Sequence, residues 1–315
     1  MAITRPLASL MLALALLGGG PGQAQSGNDP FTVTETGRSF SSLQDAVNAI
    51  GGGQGTIRIA SGRYRDCAVQ EAGTITFTAA VPGAAIFDGA ICEEKATLVL
   101  RGRAARVEGL TFTHMRVPDG NGAGIRIEQG NLNVSESMFV DGQCGILSAT
   151  DHDSTVTIDH STFSQLGKHP DGNGAHAVYI GHYGRAVVTN SRFERGTGGH
   201  YLKIRAPRVE IIGNSFDDSQ GHDTNYMIDL PEGAVGRIAG NSFVQGTGKE
   251  NYGTFIAVHA EDGDNPSAGL VIEDNVAWLV PGFAWTTAFV GDWSGEALVV
   301  RNNRLAQGIT PFQRH

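Results

Sequence analysis

The sequence predicts an all-β chain wound into a solenoid, and three observations predict it. An aliphatic residue, four variable positions and then usually Phe recur along the chain: Val107 to Phe112, Val134 to Phe139, Ile158 to Phe163, Val188 to Phe193, Ile211 to Phe216 and Ile238 to Phe243. Two degenerate copies follow, Ile272 to Ala277 and Val300 to Leu305. Successive copies start 27, 24, 30, 23, 27, 34 and 28 residues apart, a period that fits one coil of a repeat architecture. The second observation is Ser or Asn two positions before the end of most copies: Ser137, Ser161, Ser191, Asn214, Asn241, Asn275 and Asn303. There it can satisfy backbone groups at a turn and form a ladder along the axis. The third is composition, since 44 glycines and 17% charged residues in 315 suit short strands joined by turns. Each coil buries little alone and needs its neighbours.

Taken in order, Arg5 precedes an apolar run over 7–17, followed by Gly18-Gly19-Gly20-Pro21 and the small-x-small site Gly22-Gln23-Ala24. This is the layout of a secretory signal peptide over 1–24. The run is too short to be a comfortable spanning helix, and no later segment is continuously apolar for that length. The expectation is one soluble domain over 25–315, periplasmic or secreted, not inserted in a membrane, and monomeric. Residues 25–38 read as an irregular lead-in. Ser41-Ser42-Leu43-Gln44 offers a capping box, and Leu43, Ala46, Val47 and Ile50 recur at helical spacing up to Gly51-Gly52-Gly53. These signals predict an amphipathic capping helix of about three turns over about 41–50. Short strands at 56–59, 74–77, 85–87 and 98–100 begin the coils, which run over about 56–307.

Cys67 and Cys92 lie 25 residues apart, about one coil, so they can meet as a disulfide on neighbouring coils in an oxidising compartment. Three buried thiols are the alternative, and Cys144 is left over in either case. The hexamer Pro-Asp-Gly-Asn-Gly-Ala occurs twice, at 118–123 and 170–175, each time before a strand, and reads as a turn rather than a calcium loop.

The helix sequence SLQDAVNAI and the following GTIRIASGRYRD are similar to the N-terminal cap and first coil of the pectin-lyase-like superfamily. With the coil repeat, the chain resembles the right-handed parallel β-helices of that superfamily over about residues 32–307. The resemblance implies that fold. It also implies a polysaccharide lyase with Lys or Arg as the base, often with calcium. The sequence lacks a convincing carboxylate cluster for calcium, so no metal and no cofactor are expected.

Function concentrates in residues 176–208. From Arg185 to Arg208 six basic residues (Arg185, Arg192, Arg195, Lys203, Arg205, Arg208) face one acid, Glu194, in a chain of net charge -9. The global acid excess argues against a nucleic-acid partner, and the local reversal points to an acidic polysaccharide. Aligning the strands on their apolar positions makes Val178, Leu202, Ile228 and Ile256 one buried file and Ile180, Ile204, Leu230 and Val258 the next. Tyr179, Lys203, Asp229 and Ala257 then form an outward file between them, with Arg126 extending it two coils earlier. Ala177, Tyr201, Met227 and Phe255 are expected beside it, also outward. His176, His200 and Tyr226 form a polar file at the strand entrance.

β-Elimination on a uronate needs a cation at the C6 carboxylate, a base for the C5 proton and an acid for O4. Arg205, Lys203 and Tyr179 are assigned to those roles, with His200 the alternative for either proton step. Arg126, His176, Tyr201, Tyr226 and Asp229 are assigned to substrate binding along the groove. Noncatalytic glycan binding or envelope assembly, glycoside hydrolysis through Asp217-Asp218 and C5-epimerisation through Asp151-His152-Asp153 are the competing readings. Trp278, Trp285 and Trp293 are expected to form a hydrophobic cap over the last coil, with stacking on sugar rings as the alternative.

Overall fold

The computed structural model describes residues 29–167 and 175–315. The signal-peptide reading at 1–24 and most of the second hexamer lie outside the described residues. The chain coils so that each turn supplies one strand to each of three sheets, which run the length of the molecule with twelve, ten and ten strands. One such turn is Asn131–Ser135 in the first sheet, Met138–Gly142 in the second and Cys144–Ser148 in the third. Pairing along the coils is parallel, for example Val134 with Ile158 and Phe139 with Phe163. Among the described residues no helix is long and apolar enough to cross a membrane.

The N-terminal lead-in is more ordered than its sequence indicates. Phe31–Val33 and Arg38–Phe40 are strands, and Phe31–Val33 pairs antiparallel with Gln54–Ile59. Long-range pairing with that first coil, which no local pattern reveals, orders them and covers the edge. The helix spans Leu43–Ile50, slightly over two turns, with Ser42 as its N-cap accepting from the Asp45 amide. Gln44 turns to the third sheet, where its amide donates to the Val69 carbonyl (3.0 Å) and accepts from the Val69 amide (2.7 Å). The helix thus buries Leu43, Ala46 and Val47 and satisfies the first third-sheet strand in the same contact.

Three columns hold the coils together. Phe87, Phe112, Phe139, Phe163, Phe193, Phe216 and Phe243 stack inside the second sheet with ring centroids 4.8 to 5.7 Å apart. Opposite them Val107, Val134, Ile158, Val188, Ile211, Ile238, Ile272 and Val300 lie in register. At the corner between first and second sheets, the ladder residue of each coil accepts the backbone amide of its counterpart one coil earlier. This continues from Ser137 through Asn303. The residue before each ladder position turns left-handed: Glu136, His160, Asn190, Gly213, Gly240, Asp274 and Asn302. Apart from glutamate and histidine these are the residue types that tolerate such a turn best.

Of the two alternatives left open for Cys67 and Cys92 the structure holds the disulfide, with Cα atoms 5.6 Å apart, and Cys144 is a buried free thiol. The first hexamer is a turn in which the Asn121 amide donates to Asp119 Oδ1 at 3.0 Å.

Candidate active site on the third sheet

The register of the third sheet agrees with the sequence alignment. Val178 pairs with Leu202, Leu202 with Ile228 and Ile228 with Ile256, so Tyr179, Lys203, Asp229 and Ala257 follow one another on the outer side. Arg126 stands in the same file, paired through Leu147 to Tyr179. Two adjoining clefts open along this file. One of about 450 Å³ is lined by Lys95, Asn121, Arg126, Leu147 and Tyr179 among others. The other, about 230 Å³, shares Asn121, Leu147 and Tyr179 and adds His176, Lys203 and Arg205.

The basic cluster does not assemble as one patch. Arg185 lies on the first sheet, ion-paired with Glu210, and Arg192 on the second, paired with Glu194. Residues close in sequence diverge onto three sheets, and only Lys203 and Arg205 reach the groove.

Lys203 is also not the open amine that the sequence predicts. It is only 7% exposed, and its Nζ lies 3.2 Å from Asp229 Oδ2 and 2.5 Å from Glu261 Oε1. The other oxygen of Glu261 takes Arg205 Nη2 at 2.5 Å, and Arg205 Nη1 pairs with Glu232, which also receives His182 Nε2 at 2.9 Å. Arg205 Nε donates to the Tyr179 phenol oxygen at 2.8 Å. One carboxylate therefore bridges the amine and the guanidinium, and the guanidinium grips the phenol. Burial would raise Glu261, but hydrogen bonds from Lys203 and Arg205 hold its carboxyl below the ordinary range.

Behind this bridge lies a buried chain of titratable groups. The His200 backbone amide donates to His176 Nδ1 at 3.1 Å, so that nitrogen carries no proton. His200 Nδ1, 3.2 Å from the same atom, must then supply the proton of their contact, which leaves its Nε2 bare toward Asp229 Oδ2 at 3.4 Å. A protonated Asp229 satisfies that arrangement. Burial, against the pull of Lys203, pushes Asp229 up to about 6. It also pushes His176 down to about 4, helped by Lys203, and holds His200 well below the imidazole range, helped by His176. The close approach of the two rings depends on Gly199 (φ 63°), where a Cβ would stand 1.8 Å from the Ala175 carbonyl.

Tyr201 departs from its assignment. It is 2% exposed, and its hydroxyl donates to Asp218 Oδ1 at 2.8 Å inside the molecule. Ala177, Tyr201 and Met227 precede the strands Val178–Ile180, Leu202–Ile204 and Ile228–Leu230, so they sit in the corner, where strand alternation does not apply, and point inward. Phe255 is likewise buried. Asp218, half of the hydrolase pair, is fully buried and ion-paired at 3.3 Å with the fully buried Lys249, so it forms part of the core. Asp151 Oδ2 accepts the Gly130 amide at 2.7 Å at the start of a first-sheet strand, off the groove floor.

The tryptophans do not form a cap. Trp278 and Trp285 are 45% and 44% exposed on different sides of the coil, and Trp293 stacks on His315. Tyr226 packs at 5.5 Å on His200 at the groove edge, as its file position predicts. Glu232, Glu261 and His182 have no counterpart in the sequence reading. The one signal for Glu261 is the 34-residue interval from Ile238 to Ile272, the longest in the repeat, whose extra residues form the loop that carries it.

A family model described as "Right handed beta helix region" matches residues 123–305. No curated protein sequence matches the chain. Among solved structures, ORF18 of Geobacillus virus E2 is similar with a TM-score of 0.52 and 14% identity over 86% of this chain and 55% of that one. A pectin methylesterase from Aspergillus niger aligns with a TM-score of 0.47 and 11% identity over 88% and 86% of the two chains. The PL6 family alginate lyase AlyGC gives 0.43 and 13% over 80% and 36%. Identities this low bear on the fold alone, and the chain spans about half the length of the viral protein.

Proposed function

Since the chain belongs to the right-handed β-helix family, with the fold of the pectin-lyase-like superfamily, we propose that it is an exported polysaccharide lyase. Its substrate in this reading is an acidic, uronate-containing glycan, cleaved by β-elimination in the third-sheet groove. The observation that carries the reading is the Glu261 carboxylate held with one oxygen on Lys203 and the other on Arg205. A uronate C6 carboxylate presents the same pair of oxygens. The charge that develops on it as the C5 proton leaves calls for two fixed cations.

In this mechanism the substrate carboxylate displaces Glu261, which is about 44% exposed on its loop and therefore able to swing out. Lys203, already donating to Asp229, then neutralises the carboxylate together with Arg205 instead of acting as the base. Tyr179 stands beside that carboxylate because Arg205 holds its oxygen. The Tyr179 oxygen takes the C5 proton and gives up its own, the C–H electrons form the C4–C5 double bond, and the C4–O4 bond breaks. O4 leaves with a proton returned by Tyr179 or relayed from the His200–Asp229 pair. No water is consumed. Arg126 lines the adjoining cleft with its side chain partly exposed and its Nε 3.6 Å from Glu128, which places a cation for the next acidic sugar. Export is supported by the Cys67–Cys92 disulfide, a bond that persists in oxidising compartments.

The test is incubation with a panel of uronate polymers while following the ultraviolet absorbance of unsaturated ends. Wild type should produce that signal and Tyr179→Phe should lose about a hundredfold or more in rate. Reducing ends without absorbance would replace the reading with hydrolysis, altered sugar composition without shortening with epimerisation, and binding without turnover with a noncatalytic role.

A further inference from the structure

From the reacting Tyr179, a line of rings runs from coil to coil. His176 packs on Tyr179 with centroids 5.7 Å apart, His200 on His176 at 4.8 Å and Tyr226 on His200 at 5.5 Å. The next two coils carry Tyr252, which follows the Asn251 that hydrogen-bonds Tyr226, and Trp285, the two stacked at 4.0 Å and 7° and braced edge-on by Phe283. Each ring of the line lies in or just before a third-sheet strand, and those strands succeed one another: Val178–Ile180, Leu202–Ile204, Ile228–Leu230, Thr254–Val258 and Thr287–Asp292. Four steps between coils at ~4.8 Å make a run of about 19 Å, the reach of a short oligosaccharide.

We propose that Tyr179, Tyr226 and the Tyr252–Phe283–Trp285 cluster, braced from behind by the buried His176 and His200 rings, form a glycan-binding rail, with the cluster as a distal platform for pyranose rings on the C-terminal side of the reacting bond. Trp285 is 44% exposed, so it serves no core. It does not cap the solenoid either, because a further third-sheet strand, Ile309–Arg314, lies beyond it. The platform is nonetheless held in place, since Tyr252 Oη donates to the Thr247 carbonyl at 2.7 Å. A rigid, half-exposed indole face in line with a polar groove matches a sugar, whose C–H face packs on the ring while its hydroxyls stay wet. Continuity with the groove identifies the occupant as the same glycan, so the proposal rests on the glycan-binding part of the functional reading and is independent of elimination.

The experiment is isothermal titration calorimetry of uronate oligosaccharides, dimer to hexamer, in the Tyr179→Phe background so that no chain is cut. Trp285→Ala should weaken hexamer binding by about tenfold, at the upper end for one aromatic contact, and leave the dimer unchanged. Trp278→Ala, which removes an equally exposed indole from the second sheet, should change neither. Hexamer affinity untouched by Trp285→Ala, or dimer and hexamer weakened alike, would overturn the rail. Length-dependent, Trp285-dependent binding by a protein that forms no unsaturated product would keep the rail and discard the lyase; unsaturated product with no role for Trp285 would do the reverse.

Discussion

At the scale of single residues, Asp229 and His176 place opposite demands on the fold. The folded pKa of Asp229 is raised to about 6, so its contribution to stability is present below its unfolded pKa and lost as pH rises through the folded one. His176 is lowered to about 4, so its contribution is present above its unfolded pKa and lost as pH falls through the folded one. Over the window from about 4 to about 6.5 the two offset each other. Asp229→Asn removes only the first. The variant should therefore lose stability relative to wild type on acidification across that window, by up to roughly 3 kcal/mol. Urea midpoints for both proteins at the two ends of the window measure this, and a gap that stays constant with pH would refute it. The outward position of Asp229 was legible from its place after Ile228. Its burial was not, because the long loop bearing Glu261 that helps cover it comes from the following coil.

At the scale of elements, the polar ladder is the piece most exposed to a single change. Asn241 Oδ1 accepts the Asn214 amide at 2.8 Å, and its Nδ2 donates to the Ile211 carbonyl at 2.9 Å and to Asn275 Oδ1 at 3.0 Å, all without access to water. Asn241→Ala strands a buried amide and a buried carbonyl and should cost about 2–4 kcal/mol. Asn241→Ser should cost less, since serine fills the same role at Ser137, Ser161 and Ser191. Equilibrium unfolding of the two variants checks the order, and equal losses would mean that the ladder adds little. The ladder was readable in sequence because it recurs at a fixed offset from Phe. The corners before the third-sheet strands were not: Tyr201 has the alternation of a strand residue, but the chain is still turning there, and its ring goes to Asp218 instead of the groove.

At the scale of the whole molecule, a solenoid spreads stability through neighbouring coils, so damage at one end stays near it. The Cys67–Cys92 disulfide closes a loop of about one coil at the N-terminal end. Replacing both cysteines by serine should cost about 3 kcal/mol on the chain-entropy argument. Hydrogen exchange should quicken in the strands from Gln54–Ile59 to Ala96–Leu100 and stay slow at Leu202–Ile204 and Ile228–Leu230. Uniform acceleration along the chain would show that the coils unfold as one unit instead.

The sequence by itself determined the coil. Stacked phenylalanines, aliphatic files and the Ser/Asn ladder each repeat in step with the winding, and a periodic constraint leaves a periodic trace. From the same regularity it determined the register that brings Arg126, Tyr179, Lys203 and Asp229 into one file. Only the tertiary structure decided what that file faces. Glu261 and Glu232 arrive from loops whose length and path follow no period, and they turn two cations expected in the open into a carboxylate-binding bridge.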